Sequence, residues 1–176
     1  MRALLTCGLL LTTATVGTTA LWSTTAATTS GTFTTANIEL EVSGFDTYTF
    51  TFPGSMLPGD STAAVVNVQN KSSVAIRYSS RVSSGAELGR AMLLKVIAGG
   101  VLSGATCQLG SSGTAVVNAF PITSSDTVFD TGRGPLAATN GEQALCLQLT
   151  LPISAQGSLA GATSTVKFTF DASADS

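Results

Sequence analysis

Leu145-Cys146-Leu147-Gln148-Leu149-Thr150-Leu151 sets a leucine at every second position across seven residues. Successive side chains of a β-strand point to opposite faces. This stretch therefore turns four leucines toward a core and leaves Cys146, Gln148 and Thr150 on the other side. The same period recurs in both directions along the chain. Ile38, Leu40 and Val42 alternate with Asn37, Glu39 and Glu41, and Tyr48, Phe50 and Phe52 with Thr47, Thr49 and Thr51. Val74, Ile76, Tyr78 and Val82 share one face, Arg77 and Arg81 the other. Val166, Phe168 and Phe170 alternate with Lys167, Thr169 and Asp171.

Shorter apolar runs at 63–68, 91–98, 114–117 and 127–129 fill the gaps. Turn chemistry separates them: Pro53-Gly54, Pro58-Gly59-Asp60, Gly99-Gly100, the Gly-Ser-Ser-Gly of 110–113, Gly132-Arg133-Gly134-Pro135 and Asn140-Gly141. Residues 84–90 leave room for one helical turn, and their two glycines oppose anything longer. The expectation is an all-β fold, a β-sandwich or jelly roll of about eight to ten antiparallel strands within residues 36–176.

Composition narrows the function classes. Of 176 residues only 10% are charged, 44% are hydrophobic, and the net charge is −2. Low charge with high apolar content is the opposite of a disordered chain. No basic block offers a footprint for nucleic acid or anionic lipid. Histidine is absent, so Ser-His and Cys-His mechanisms are excluded, and with them the commonest zinc ligand.

The first twenty residues have the layout of a secretory signal peptide. Met1-Arg2 supplies positive charge, 3–11 (ALLTCGLLL) is apolar, and 12–20 is small and mildly polar. Thr18 and Ala20 take the −3 and −1 positions, so cleavage is expected between Ala20 and Leu21. The apolar run falls well short of the roughly 20 residues that span a bilayer. The mature protein is expected to be secreted, extracellular or at the cell surface, with no stable membrane span after cleavage. Residues 21–35, rich in Thr, Ser and Ala, read as an extended N-terminal segment.

Cys7 leaves with the signal. Cys107 and Cys146 remain as an even pair in an exported chain, for which a disulfide is the natural reading and two buried free thiols the rival. In the loop-entropy model, closing a loop of about 40 residues contributes roughly 3–4 kcal/mol. Because Cys146 lies opposite the leucine row, the bond should sit outside the core and tie the 99–113 stretch across the sheet surface.

In order and spacing these segments resemble the TasA/camelysin family of exported bacterial proteins, in an actinobacterial-like branch. Trp22 precedes Gly31-Thr32-Phe33-Thr34-Thr35-Ala36-Asn37-Ile38-Glu39-Leu40, where the family carries an aromatic and then a small-Thr-Phe-x-x-Gly-x-Leu-Asp-Leu stretch. Here Ala36 stands in place of the usual Gly. Leu57-Pro58-Gly59-Asp60-Ser61 leads into Val66-Asn67-Val68-Gln69-Asn70, and Leu145-Cys146, Leu151-Pro152, Gly161 and Phe168-Thr169-Phe170-Asp171-Ala172 close the series. The resemblance covers about residues 18–172. It implies a jelly-roll subunit exported through a SipW-type signal, and a place among matrix or fibre components of biofilms. Some relatives carry a metallo-endopeptidase label.

The residues speak against that activity. No H-E-x-x-H motif exists without histidine. Glu39 and Glu41 share a strand face about 7 Å apart, and with Asp46 they could hold a hard cation such as calcium; a solvated outer face is the favoured reading. Asp126 and Asp130 flank Val128-Phe129 and could join a calcium site too, but loops commonly carry such residues and the Asp-x-Asn-x-Asp-Gly signature is missing. The Gly-rich 99–113 stretch lacks the Gly-Lys-Ser/Thr ending of a phosphate loop and reads as a strand-to-strand loop. Trp22, Tyr48 and Tyr78 suggest a sugar-stacking platform, but Tyr48 and Tyr78 sit on inward parities and read as core. Asn70-Lys71-Ser72 matches the N-glycosylation pattern.

No catalytic, cofactor or metal residue is expected, and no enzyme activity. The expected function is a secreted structural protein of the matrix or cell surface, assembling with itself, or with other matrix components, into fibres by β-strand pairing. Trp22 or Phe33 would anchor residues 21–35 in a neighbour's groove; a disordered tether is the alternative for that segment. A monomeric binding module for polysaccharide or protein is the second reading, and a peptidase the third.

Overall fold

The alternating runs become strands, and the strands pair in a single nested pattern. The computed structural model describes residues 40–43, 47–51 and 56–175. In chain order the elements are β1 (Leu40–Val42), β2 (Thr47–Thr51), β3 (Ser61–Asn70), β4 (Ile76–Ser83), the short helix α1 (Glu87–Ala91), β5 (Leu93–Ala98), β6 (Val101–Ser103), β7 (Thr106–Gln108), β8 (Thr114–Pro121), β9 (Thr127–Leu136), β10 (Glu142–Thr150) and β11 (Thr165–Ala174). A 3₁₀ turn at Gly157–Leu159 precedes the last strand. All of these lie in one compact unit, Ala36–Ser176.

β2 pairs with β11, β3 with β10, β4 with β9 and β5 with β8, every pair antiparallel. The chain is thus a long hairpin folded back on itself, with the β6–β7 hairpin at the fold-back. Two further pairings, β4 with β11 and β5 with β10, roll it up. The result is sheet A, ordered β1-β3-β10-β5-β8, and sheet B, ordered β2-β11-β4-β9. Consecutive strands mostly change sheet, which is the jelly-roll topology. The all-β sandwich expected from the alternation is the fold.

The core lies between the sheets. Leu145, Leu147, Leu149 and Leu151 are buried to 1% exposure or less, as are Val66, Val68, Leu94 and Val96 on the same face. Across from them stand Ile76, Tyr78 and Val82 of β4 and Val166, Phe168 and Phe170 of β11. Each fully buried side chain of this size contributes roughly 1.5–3 kcal/mol relative to exposure, so one polar substitution in the leucine row would undo its strand. Phe129 meets Phe168 edge to face at 6.2 Å between centroids, and Tyr78 meets Phe170 at 6.1 Å.

Three local readings need correction. Gly132-Arg133-Gly134-Pro135 is not a turn: β9 runs through it, still paired with β4 by way of register shifts. Positive φ at Gly132 and Gly134 places the irregularity there, and a Cβ on Gly134 would come within 2.9 Å of Ile76 O. β9 is an edge strand, so Pro135 costs the sheet no hydrogen bond on its open side. The 99–113 stretch is more than a loop, since it contains the β6–β7 hairpin. The run at 114–117 extends as β8 to Pro121, through a bulge at Ala119 with φ +55°. The Pro58-Gly59-Asp60 turn forms as read: Gly59 has φ +98°, and Asp60 Oδ2 accepts the Leu57 N–H at 2.8 Å.

Candidate assembly surface

β3 is ten residues long, yet on its outer side it meets β1 only from Val68 to Asn70. The Ser43 N–H adds one bond to Asn67 O at 2.9 Å. Among the described residues, no strand lies beside residues 61–66 on that side. Strand parity identifies the open groups. Asn67 faces β1, so Val65, Ala63 and Ser61 turn their N–H and C=O groups the same way, away from β10.

Two of the other edges are blunted, while β2, the remaining edge of sheet B, is only five residues long. β8 carries the Ala119 bulge and ends in Pro121. β9 carries two positive-φ glycines and Pro135. Natural sheet edges are protected by bulges, prolines and charges of this kind. β3 has none of them: Ser-Thr-Ala-Ala-Val-Val-Asn-Val-Gln-Asn contains no charge and no proline.

Next to this edge, on the outward face of sheet A, lies the disulfide. Cys107 of β7 is bonded to Cys146 of β10, with Cα atoms 5.7 Å apart. Both are buried, at 2% and 0% exposure, in a small cluster with Ile97 and the half-buried Ala63 that is separate from the main core. The parity reading is therefore observed: the bond sits on the face opposite the leucines and pins the β6–β7 hairpin down. Two side chains complete the attachment. Gln148 Oε1 accepts the Cys107 N–H at 2.9 Å, and Lys95 Nζ donates to Cys107 O at 3.1 Å. They replace the neighbouring strand that β7 lacks on that side. Gln148 is itself fixed by a bond from its Nε2 to Thr150 Oγ1 at 3.1 Å. A shallow cavity of about 190 Å³ opens beside Lys95, lined also by Leu93, Asn118, Ala119, Gln148 and Thr150.

The charges are uneven between the sheets: in sheet A, β1, β5 and β10 carry one each, Glu41, Lys95 and Glu142. β4, β9 and β11 carry Arg77, Arg81, Asp130, Arg133, Lys167 and Asp171. Arg77 pairs with Asp175 at 2.6 Å, Arg133 with Asp130, and Arg81 Nε lies 3.1 Å from Asp171 without the alignment of a hydrogen bond. On the sheet A side, residues 61–70, 96–125 and 143–166 contain no charged residue. Those runs cover β3, the hairpin, β8 and nearly all of β10. Val65, Val101, Leu102 and Leu109 are exposed there, at 42–62%.

Other sequence-derived candidates fall as follows. Ala20, Leu21, Trp22, Phe33, Glu39, Asp46 and the side chain of Glu41 lie outside the described residues. Asp126 accepts from Ser83 Oγ at 2.5 Å while Asp130 holds Arg133, so the two carboxylates are separately engaged. Among the described residues no group of three or more Cys, Asp or Glu is placed to hold a metal. Tyr78 is buried and Tyr48 half-buried, both against the core, which removes them as a sugar platform. Burial raises both phenols above their usual pKa. Asn70 is fully buried, and its Nδ2 donates to the carbonyls of Val74, Leu136 and Ala137 at 2.8–3.0 Å. A glycan cannot reach that nitrogen in the folded chain. No described helix is long and apolar enough to cross a membrane.

Compared with known proteins, the chain matches no family model and no curated protein. One solved structure, of the Gx strain of infectious bursal disease virus, is similar with a TM-score of 0.41 at 12% identity. The match covers 78% of this chain and 31% of that one, so this chain spans about a third of its length.

Proposed function

We propose that this protein is a secreted structural subunit of an extracellular matrix or cell surface, not an enzyme, and that it joins copies of itself by strand pairing. The observation that carries this reading is the unprotected edge at residues 61–66 of β3, with its outward N–H and C=O groups, no charge and no proline. An edge of this kind accepts an extended segment by main-chain hydrogen bonding. Residues 21–35 are the donor we assign, with Trp22 or Phe33 as the apolar anchor. Donation from one copy to the next is a heterologous contact, which propagates as a filament instead of closing. The Cys107–Cys146 disulfide is compatible with an oxidising, extracytoplasmic compartment. The TasA/camelysin resemblance points to the same role.

The binding-module reading has less to stand on. The larger of two pockets among the described residues, about 190 Å³, is smaller than the roughly 300–1,000 Å³ usual for ligand sites.

Two changes test the proposal by electron microscopy of the secreted protein at high concentration. Ala63→Pro removes one outward N–H while keeping every bond to β10; deletion of residues 21–35 removes the donor. Both should abolish filaments while leaving the fold intact by circular dichroism. Filaments from the truncated protein would overturn the donor role, and a full-length protein that stays monomeric at every concentration would overturn self-assembly.

A further inference from the structure

We propose that the outward face of sheet A, with the β6–β7 hairpin pinned on it, is a second contact surface whose partner is another copy of the same chain, packed face to face about a two-fold axis. The contact is lateral. It needs neither the β3 edge nor a donor strand, so it stands or falls separately from the strand-pairing reading.

Charge chooses the partner. About a two-fold axis residue i of one copy meets j of the other while j meets i, so a face with an excess of one sign meets that same excess. Sheet B, with four cations against two carboxylates on three strands, disfavours such a contact. Sheet A's face is closer to neutral: β3, β8 and the hairpin carry no charge, Lys95 is turned to the carbonyl of Cys107, and Glu142 stands at the end of β10, where it accepts from Gln69 Nε2. A strongly charged partner would find few countercharges here, with Lys95 and Glu142 both engaged within the chain. A neutral glycan would want an exposed aromatic, and the described face shows none, since Phe120 of β8 packs against the core. What the face does offer is Val65, Val101, Leu102 and Leu109, exposed aliphatics whose best complement is a second patch of the same kind.

Size and rigidity agree. Four strands about 4.8 Å apart and some eight residues long span roughly 20 Å by 26 Å in projection, on the order of 500 Å² before the relief of the hairpin is added. That is the scale of a weak interface, below the roughly 800 Å² per partner of a standard one. A weak contact suits lateral association between subunits already joined another way. The hairpin is held by the disulfide and by Gln148 and Lys95, so little ordering is required when it docks.

The test is sedimentation velocity of the secreted protein over a concentration series, with Leu102→Glu/Leu109→Glu and Ala63→Pro as variants. Ala63→Pro should remove filaments but leave a reversible dimer. Leu102→Glu/Leu109→Glu places like charges across the axis and should weaken that dimer about a hundredfold or more, while single filaments still form and no longer bundle. Leu102 is 48% and Leu109 62% exposed and neither belongs to the main core, so the variant should keep a thermal midpoint close to the parent's. A dimer of unchanged strength in the charged variant overturns the proposal, as does an Ala63→Pro protein that remains monomeric at hundreds of micromolar. Loss of filaments as well as dimer in the charged variant leaves the face in place and overturns the strand-pairing reading.

Discussion

The phenol of Tyr78, in sheet B, donates across the core to Gln143 Oε1 of sheet A at 2.6 Å. Tyr78 is 1% exposed, and burial raises its pKa well above the ordinary value near 10, with Asp130 adding to the rise and Arg133 opposing it. The folded state therefore holds the phenolic proton more tightly than the unfolded chain does. This contribution to stability is complete below about pH 10 and is lost as pH climbs from there through the folded-state value. Tyr78→Phe should cost about 1–2 kcal/mol at pH 7. It should also flatten the fall in stability above pH 10, measured by urea titration at pH 7 and pH 10.5.

Asn70 ties three parts of the fold together. Besides the two Nδ2 hydrogens shared among three carbonyls, its Oδ1 accepts the Ser72 N–H at 2.9 Å and Ser72 Oγ at 2.5 Å. The end of β3, the start of β4 and the end of β9 thus share one fully buried amide. Asn70→Ala should cost about 2–4 kcal/mol, since several buried polar groups lose their partner at once. Asn70→Asp should cost more, because a carboxylate would face three carbonyls. Thermal melts of the two variants check the order.

The strands that could be read from residue order are those whose partner face is uniform. β4, β10 and β11 are apolar on one side and polar on the other along most of their length, so period two survives into three dimensions. β9 defeats that reading because Gly132, Gly134 and Pro135 are turn residues by type, and only pairing with β4 at an edge makes them strand. β6 and β7, at three residues each, are too short to show a period. They exist because Gln148, Lys95 and Cys146, all distant in sequence, hold Cys107. The candidate surface was half visible. Absence of charge from residue 96 to 125 is plain in the sequence, but which strands share a face, and which edge stays open, depends on the pairing.

Ser80 offers a test with the opposite sign. It faces inward on β4, fully buried, and its hydroxyl finds no hydrogen-bond partner. Burying an unpaired hydroxyl carries a desolvation cost of about 1–3 kcal/mol. Ser80→Ala removes the hydroxyl and leaves the strand unchanged. It should therefore stabilise the protein, by about 1 kcal/mol, where most core truncations destabilise. A rise in the denaturant midpoint at constant slope is the expected observation.

The disulfide should respond to reductant in two distinct ways. Its sulfurs lie under the hairpin, with Cys107 and Cys146 at 2% and 0% exposure. A thiolate cannot reach them until the hairpin lifts, so reduction of the native protein should be slow and should quicken in mild denaturant. Once reduced, the chain loses a closure of 39 residues, about 4 kcal/mol in the loop-entropy model. Gln148 and Lys95 still hold β7 by side-chain bonds, and the main core shares no residue with the disulfide cluster. The jelly roll should thus survive reduction with a lower midpoint, while the hairpin loosens first. Amide exchange read by mass spectrometry, comparing native protein with a Cys107→Ser/Cys146→Ser variant, separates the two effects. Faster exchange confined to residues 99–113 is the expected result. Equal acceleration across β4 and β11 would mean that the hairpin and the sandwich unfold as one unit, and that the disulfide supports the core after all.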